Sequence, residues 1–175
     1  MSNSKPSNVI LGVDPGLATT GYGLIEVRDN RFLHLDHGTI RTKPDVETGA
    51  RLSHIYDTMR AILKDYRPTM AGIEGLYFAK NITSAIPVAQ ARGVLLLAFA
   101  QENIRTGEFP PLEIKQAITG NGRAEKHQVQ ELVRVFLGLK EVPSPDHAAD
   151  ALAIAICCFN TLTARARITA NQKGI

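Results

Sequence analysis

Two short apolar runs in this chain each end on a carboxylate: NVILGVD closes at Asp14 and MAGIE at Glu74. Burying an ionised carboxylate costs several kcal/mol unless a partner or a metal neutralises it. A fold for this chain must therefore bury both runs yet hold both acids at a rim or around a cation. If the runs are neighbouring parallel strands, their ends lie side by side and the two acids meet. Taken singly, each acid reads as well as a turn residue, Asp14 above all because Pro15-Gly16 follows it. Taken together, they point to one assembled site.

His147 and Asp150 add to it. They stand three apart at the start of DHAADALAIAICCF, so on a helix both side chains share one face. A single histidine there would more often be a satisfied core residue, but an acid on the same face of an apolar helix calls for a function. Asp146 lies four before Asp150 and could share that face, although its place after Ser144-Pro145 suits an N-cap better. Three hard carboxylates and an imidazole suit Mg²⁺ or Mn²⁺, with the imidazole tilting the balance towards Mn²⁺. No cysteine is placed to favour zinc. Two such ions about 4 Å apart can clamp a phosphodiester, and Asp14 is the natural carboxylate to bridge them. The glycines after Asp14 (Gly16, Gly21, Gly23) would let backbone approach a phosphate.

Hydrophobic periodicity orders the rest. Residues 21–27 and 31–41 read as strands joined at Asp29-Asn30, a hairpin signal, so three antiparallel strands come first. Leu52, Ile55, Met59, Ile62, Leu63 and Tyr66 recur at helical spacing until Arg67-Pro68. Residues 84–103 are apolar nearly all round, with Pro87 expected in the first turn. Such a helix is central to the core or lies in a homodimer interface. A short fifth strand is expected over 109–114, kept to an edge by Pro110-Pro111. A helix through Val129, Leu132, Val133, Phe136 and Leu137 follows, capped at Gly138, and a last helix runs from Asp146 to about Leu162. Residues 1–7 read as disordered, 8–163 as a single domain, and 164–175 as a flexible basic tail. With 20 Lys and Arg against 17 Asp and Glu, the net charge of +3 is compatible with nucleic acid without requiring it. Cys157 and Cys158, adjacent on an apolar helix, read as small buried thiols in a reducing compartment. No signal-type segment and no apolar run of membrane-spanning length is expected, which favours a cytoplasmic protein with no membrane partner.

Several stretches in order resemble the RuvC family of bacterial Holliday-junction resolvases: ILGVDPGLATTGYG, IRTK at 40–43, IEGLYFAKN at 73–81, QARGV at 90–94, IKQAITGNGRAEKHQVQ at 114–130 and DHAADALAIAI at 146–156. The resemblance implies an RNase H-like α/β fold with a mixed five-stranded sheet, antiparallel first and parallel after, flanked by helices. It implies a homodimer that resolves four-way junction DNA by paired symmetric nicks, using Mg²⁺ or Mn²⁺, in partnership with a RuvA–RuvB branch-migration complex. It carries the catalytic and metal-binding quartet onto Asp14, Glu74, His147 and Asp150, His147 standing where some members have aspartate. DNA engagement falls on Tyr77, Lys115 and Lys126, with Lys80 and Arg123 as companions. Read from the residues alone, Tyr77 packs beside a helix and the lysines are solvated. Lys126, however, opposes a helix dipole, a cost easier to understand if it meets a phosphate.

Three other readings use part of this pattern. A junction-binding module without turnover needs the basic and aromatic residues but not four buried ligands. An ATP-handling protein of the actin and sugar-kinase type also places glycines after a strand-end aspartate, but needs a second domain. A related nuclease could act on RNA.

Overall fold

The computed structural model describes residues 8–76 and 82–172. Five strands form one sheet: β1 (Asn8–Asp14), β2 (Thr19–Arg28), β3 (Arg31–Arg41), β4 (Met70–Glu74) and β5 (Arg105–Phe109). Their order is β3-β2-β1-β4-β5. β1 pairs antiparallel with β2, and β2 with β3, whereas β1–β4 and β4–β5 are parallel. The mixed sheet expected from the sequence is the one observed. Asp29 and Asn30 both adopt positive φ (51° and 59°), the conformation a two-residue type I′ hairpin requires.

One face of the sheet carries α1 (Thr48–Tyr66) and α2 (Ile82–Gln101). Leu11, Val13, Leu24 and Ile73 from the strands pack there with Ile55, Met59, Leu95 and Phe99. α1 ends at Arg67 in the left-handed region (φ 49°), its N–H bonded to the Leu63 carbonyl. Pro87 falls in the second turn of α2, not the first, because that helix begins at Ile82. The other face is covered by α5 (Asp146–Gln172), with α3 (Pro111–Thr119) and α4 (Lys126–Phe136) packed outside it. Ile10, Ile25 and Phe109 meet Leu152, Ile154, Ile114 and Val133 there.

The α5 side differs from expectation in three places. The fifth strand ends at Phe109, where a strand over 109–114 was expected. Pro111 opens α3, because proline lacks only an N–H that a first helical turn leaves unpaired, and Ile114 and Ile118 bury one helical face. α5 continues to Gln172, past the limit expected at Leu162, so the backbone of 164–172 is helix where a loose tail was expected. From Asp146 to Ala166 α5 is also long and apolar enough to cross a membrane, correcting the expectation that no run is. Most of that stretch (61%) is buried between the sheet and α3–α4, which accounts for its composition. Cys157 and Cys158 are free and buried within it, and burial pushes their thiols up to about 11 and 12, away from reactivity.

A row of glycines sets how closely α5 lies. Gly23, Gly12, Gly72 and Gly107 are register partners across β2, β1, β4 and β5. A Cβ on Gly12 would stand 1.9 Å from the Ala151 carbonyl oxygen, and one on Gly72 2.8 Å from the Cys158 Cβ. At Gly21 it would stand 2.0 Å from the His147 carbonyl oxygen. The glycines expected to approach a phosphate instead receive a helix, Gly21 and Gly23 along its axis, while Gly16 closes a turn in which the Thr20 hydroxyl donates to its carbonyl (2.7 Å).

Candidate active site

The parallel register that pairs Val13 with Ile73 leaves Asp14 and Glu74 side by side at the carboxyl ends of β1 and β4. Asp14 is paired across β2 with Gly21, against which the first turn of α5 rests. His147 thus reaches Asp14, its Nδ1 2.6 Å from the Asp14 Oδ2. Asp150, one turn on, faces Lys126, whose Nζ lies 3.1 Å from the Asp150 Oδ2 and 3.1 Å from the Asp146 Oδ2. The structure therefore brings Asp14, Glu74, His147 and Asp150 to one rim from three elements that are distant in sequence.

Burial is the main cause pushing the Glu74 carboxyl up to about 7, with the charge of Asp14 and a hydrogen bond to it next. Asp150 is also raised, first by burial, against the opposing pull of Lys126. Lys126 is pulled down by burial but driven up overall by its two carboxylate partners. Its place against the α4 dipole is offset by these two ion pairs. Asp146 is no N-cap: its carboxylate accepts from Gln130 Nε2 at 3.2 Å and holds Lys126.

A pocket of about 210 Å³ opens beside the rim, lined by Glu74, Asp150, Lys115 and Lys126, with Pro111 and Val129 among its walls. Lys115 and Lys126 thereby flank the acids. Arg123 is exposed in the turn between α3 and α4, its N–H donating to the Asn121 side chain at 3.0 Å. Tyr77 and Lys80 lie outside the described residues. Sequence reading missed the role of Asp146 as a partner of Lys126; a positive residue at a helix start was the available signal.

Among the described residues no three His, Cys, Asp or Glu side chains already converge as a coordination shell. His147 and Asp14 satisfy each other, and Lys126 satisfies Asp150. The donor set nevertheless fits a hard divalent cation. Three crowded carboxylates, with Glu74 and Asp150 both raised, form a site short of positive charge.

Uptake of a cation at these residues would depend on pH. Folding raises the Glu74 carboxyl from 4.5 to about 7, so the folded protein binds that proton more tightly than the unfolded chain. In the metal-free protein Glu74 therefore costs nothing below about pH 4.5 and progressively more as pH rises through about 7. A cation held by Glu74 must expel the proton below that value, and Mn²⁺ affinity should fall up to about tenfold per pH unit on further acidification. Calorimetric titration in buffers of different ionisation enthalpy should register close to one proton released per site at pH 6, and far less at pH 8. No release at pH 6 would exclude Glu74 from the cation.

A family model described as crossover junction endodeoxyribonuclease RuvC matches residues 10–158. The crossover junction endodeoxyribonuclease RuvC of Treponema denticola is 56% identical over 151 residues, covering 86% of this chain and 85% of that protein. The Heliobacterium modesticaldum protein of the same name is 52% identical over 155 residues, 89% and 96% of the two chains. Among solved structures, Thermus thermophilus RuvC in complex with Holliday junction substrate superposes with a TM-score of 0.83 at 32% identity, covering 89% of this chain and 96% of that one.

Proposed function

This chain belongs to the RuvC family of crossover junction endodeoxyribonucleases, and on that premise we propose that it resolves Holliday junctions through the rim formed by Asp14, Glu74, His147 and Asp150. The observation that carries this reading is the meeting of two strand-end acids with the His147–Asp150 face of α5, beside a pocket that Lys115 and Lys126 line. The sheet is RNase H-like, and the enzyme is a phosphodiester hydrolase that binds four-way junction DNA. Divalent metal dependence goes with the family. Asp14, Glu74, His147 and Asp150 would hold two ions, Mg²⁺ or Mn²⁺, which when bound would supply a polarised water and neutralise charge on the leaving oxygen.

The chain's own groups do the rest. His147, hydrogen-bonded to Asp14 here, would offer a ring nitrogen as a ligand. Lys126 pairs with Asp150 and Asp146, and would be available to a phosphate where Asp150 serves a metal. Lys115 and Arg123 extend the positive side of the pocket, and Tyr77 and Lys80 are assigned to the junction on the same reading. Binding is mainly to phosphate positions and shape, and so falls steeply with salt. Exposed Ile86 and Leu97 on α2 (54% and 51%) support a homodimer through that helix, whose two-fold axis would set paired nicks symmetrically. A RuvA–RuvB partnership and a cytoplasmic site of action belong to the same proposal.

The test is a labelled synthetic four-way junction beside a linear duplex, with Mg²⁺, Mn²⁺ or chelator. Metal-dependent paired nicks, leaving 5′-phosphates on the junction alone, are expected. Tight binding without nicks would leave a non-catalytic junction module, and equal cutting of duplex would leave a general nuclease.

A second outcome concerns His147. His147→Asp should retain cleavage within about tenfold, while moving the preference towards Mg²⁺ and the pH profile upward, because another carboxylate joins Asp14 and Glu74. An inactive but folded variant would show that the imidazole does something a carboxylate cannot.

A further inference from the structure

At the rim, the side of β1 away from Lys115 and Lys126 also carries positive charge. Arg41 is the last residue of β3, paired with Thr19, two residues beyond the pair Thr39–Gly21 that is level with Asp14. Ile40 is buried towards α1 and α2, so strand alternation sends Arg41 to the opposite face, the one on which Asp14 meets His147. α5 begins beside Gly21, and Arg41, short of it, is exposed, as is Lys43. Among the described residues neither has an ion-pair partner.

The backbone beneath them is fixed. Thr42 donates its N–H to the Ala18 carbonyl at 3.0 Å and its hydroxyl to the Leu17 carbonyl at 2.5 Å, and Arg51 Nε donates to that hydroxyl at 2.8 Å. This ties the end of β3 to the loop that follows Asp14 and to α1. Arg41, exposed on the face of the acidic rim, and exposed Lys43 beside it on the same braced segment, neither with an ion-pair partner among the described residues, make a docking place for anions. β3 lies two strand spacings from β1, about 10 Å, comparable to the rise of roughly three base-pair steps along the axis of a B-form duplex, at about 3.4 Å each.

We propose that Arg41, with Lys43 beside it, binds the backbone of the DNA strand that leaves the acidic rim on the β3 side. The strand is then gripped on both sides of the phosphate to be cut, by Lys115 and Lys126 on one and Arg41 and Lys43 on the other. The inference rests on the junction-cutting reading.

The experiment measures binding of a labelled four-way junction in chelator across a salt series, for the full chain and for Arg41→Ala, Arg41→Lys and Arg31→Ala. Arg31 opens the same strand at its far end, so its removal deletes the same charge away from the rim. Arg41→Ala should bind roughly tenfold more weakly at low salt, with the slope of log K against log salt reduced by about 0.9 for one phosphate lost. Arg41→Lys should keep the slope, and Arg31→Ala should match the parent. Equal losses for Arg31→Ala and Arg41→Ala, or an unchanged slope for Arg41→Ala, would overturn the proposal. A parent protein that prefers linear duplex to junction would overturn the resolvase reading instead, and the Arg41 comparison would still be read on whichever DNA it binds.

Discussion

Asp14→Asn is expected to bind four-way junctions like the parent protein and to cut them at least about 10³-fold more slowly. Asparagine keeps the size of the side chain and can still accept from His147 through its carbonyl oxygen, so the fold has little to lose. What disappears is the negative charge that divalent cations at this position would need. The Asp14 side chain is only 13% exposed and crowds Glu74, whose carboxyl its charge helps to raise. Removing that charge should let Glu74 return towards ordinary carboxylate behaviour. The metal-free variant should therefore unfold at the parent temperature or above it. Single-turnover cleavage under saturating DNA and the thermal midpoint without metal test both halves. Cleavage within tenfold of the parent would remove Asp14 from the chemistry, and a fall in midpoint would make it a structural residue.

Gly12→Ala is expected to cost about 3 kcal/mol or more, a fall of roughly 10 °C in midpoint, and to abolish cleavage with it. The added methyl would stand 1.9 Å from the Ala151 carbonyl oxygen and 2.4 Å from the Ala155 nitrogen. Both belong to helix backbone, so no rotamer change relieves the contact and α5 must move off the sheet. The same movement draws His147 and Asp150 away from Asp14 and Glu74, coupling stability to chemistry. An unchanged midpoint for Gly12→Ala would mean that the helix does not rest on the glycine row.

Much of the sheet was readable locally. Asp29-Asn30 announced the hairpin because positive φ at both positions is chemistry that few residues tolerate, and the unbroken apolar run of β1 fits a strand buried on both faces. The fifth strand was misplaced because Pro110-Pro111 is as good a helix start as a strand end, and five residues of RTGEF carry little periodicity. α5 was cut short at Leu162 because its later residues lose their apolar stripe, while the helix persists on backbone bonds.

For the candidate site, the residue types were legible and their partners were not. By itself the sequence determined that two apolar strands close on acids and that His147 and Asp150 share a helical face, since strand ends and helical spacing are local properties. Only the tertiary structure decided that Gly21 and Gly23 serve α5 rather than a phosphate, that Asp146 holds Lys126 rather than capping a helix, and that Arg41 shares the face of Asp14. Each of these depends on which element crosses which strand and how closely. That is fixed by missing side chains on three strands, β2, β1 and β4, acting together, not by any one segment.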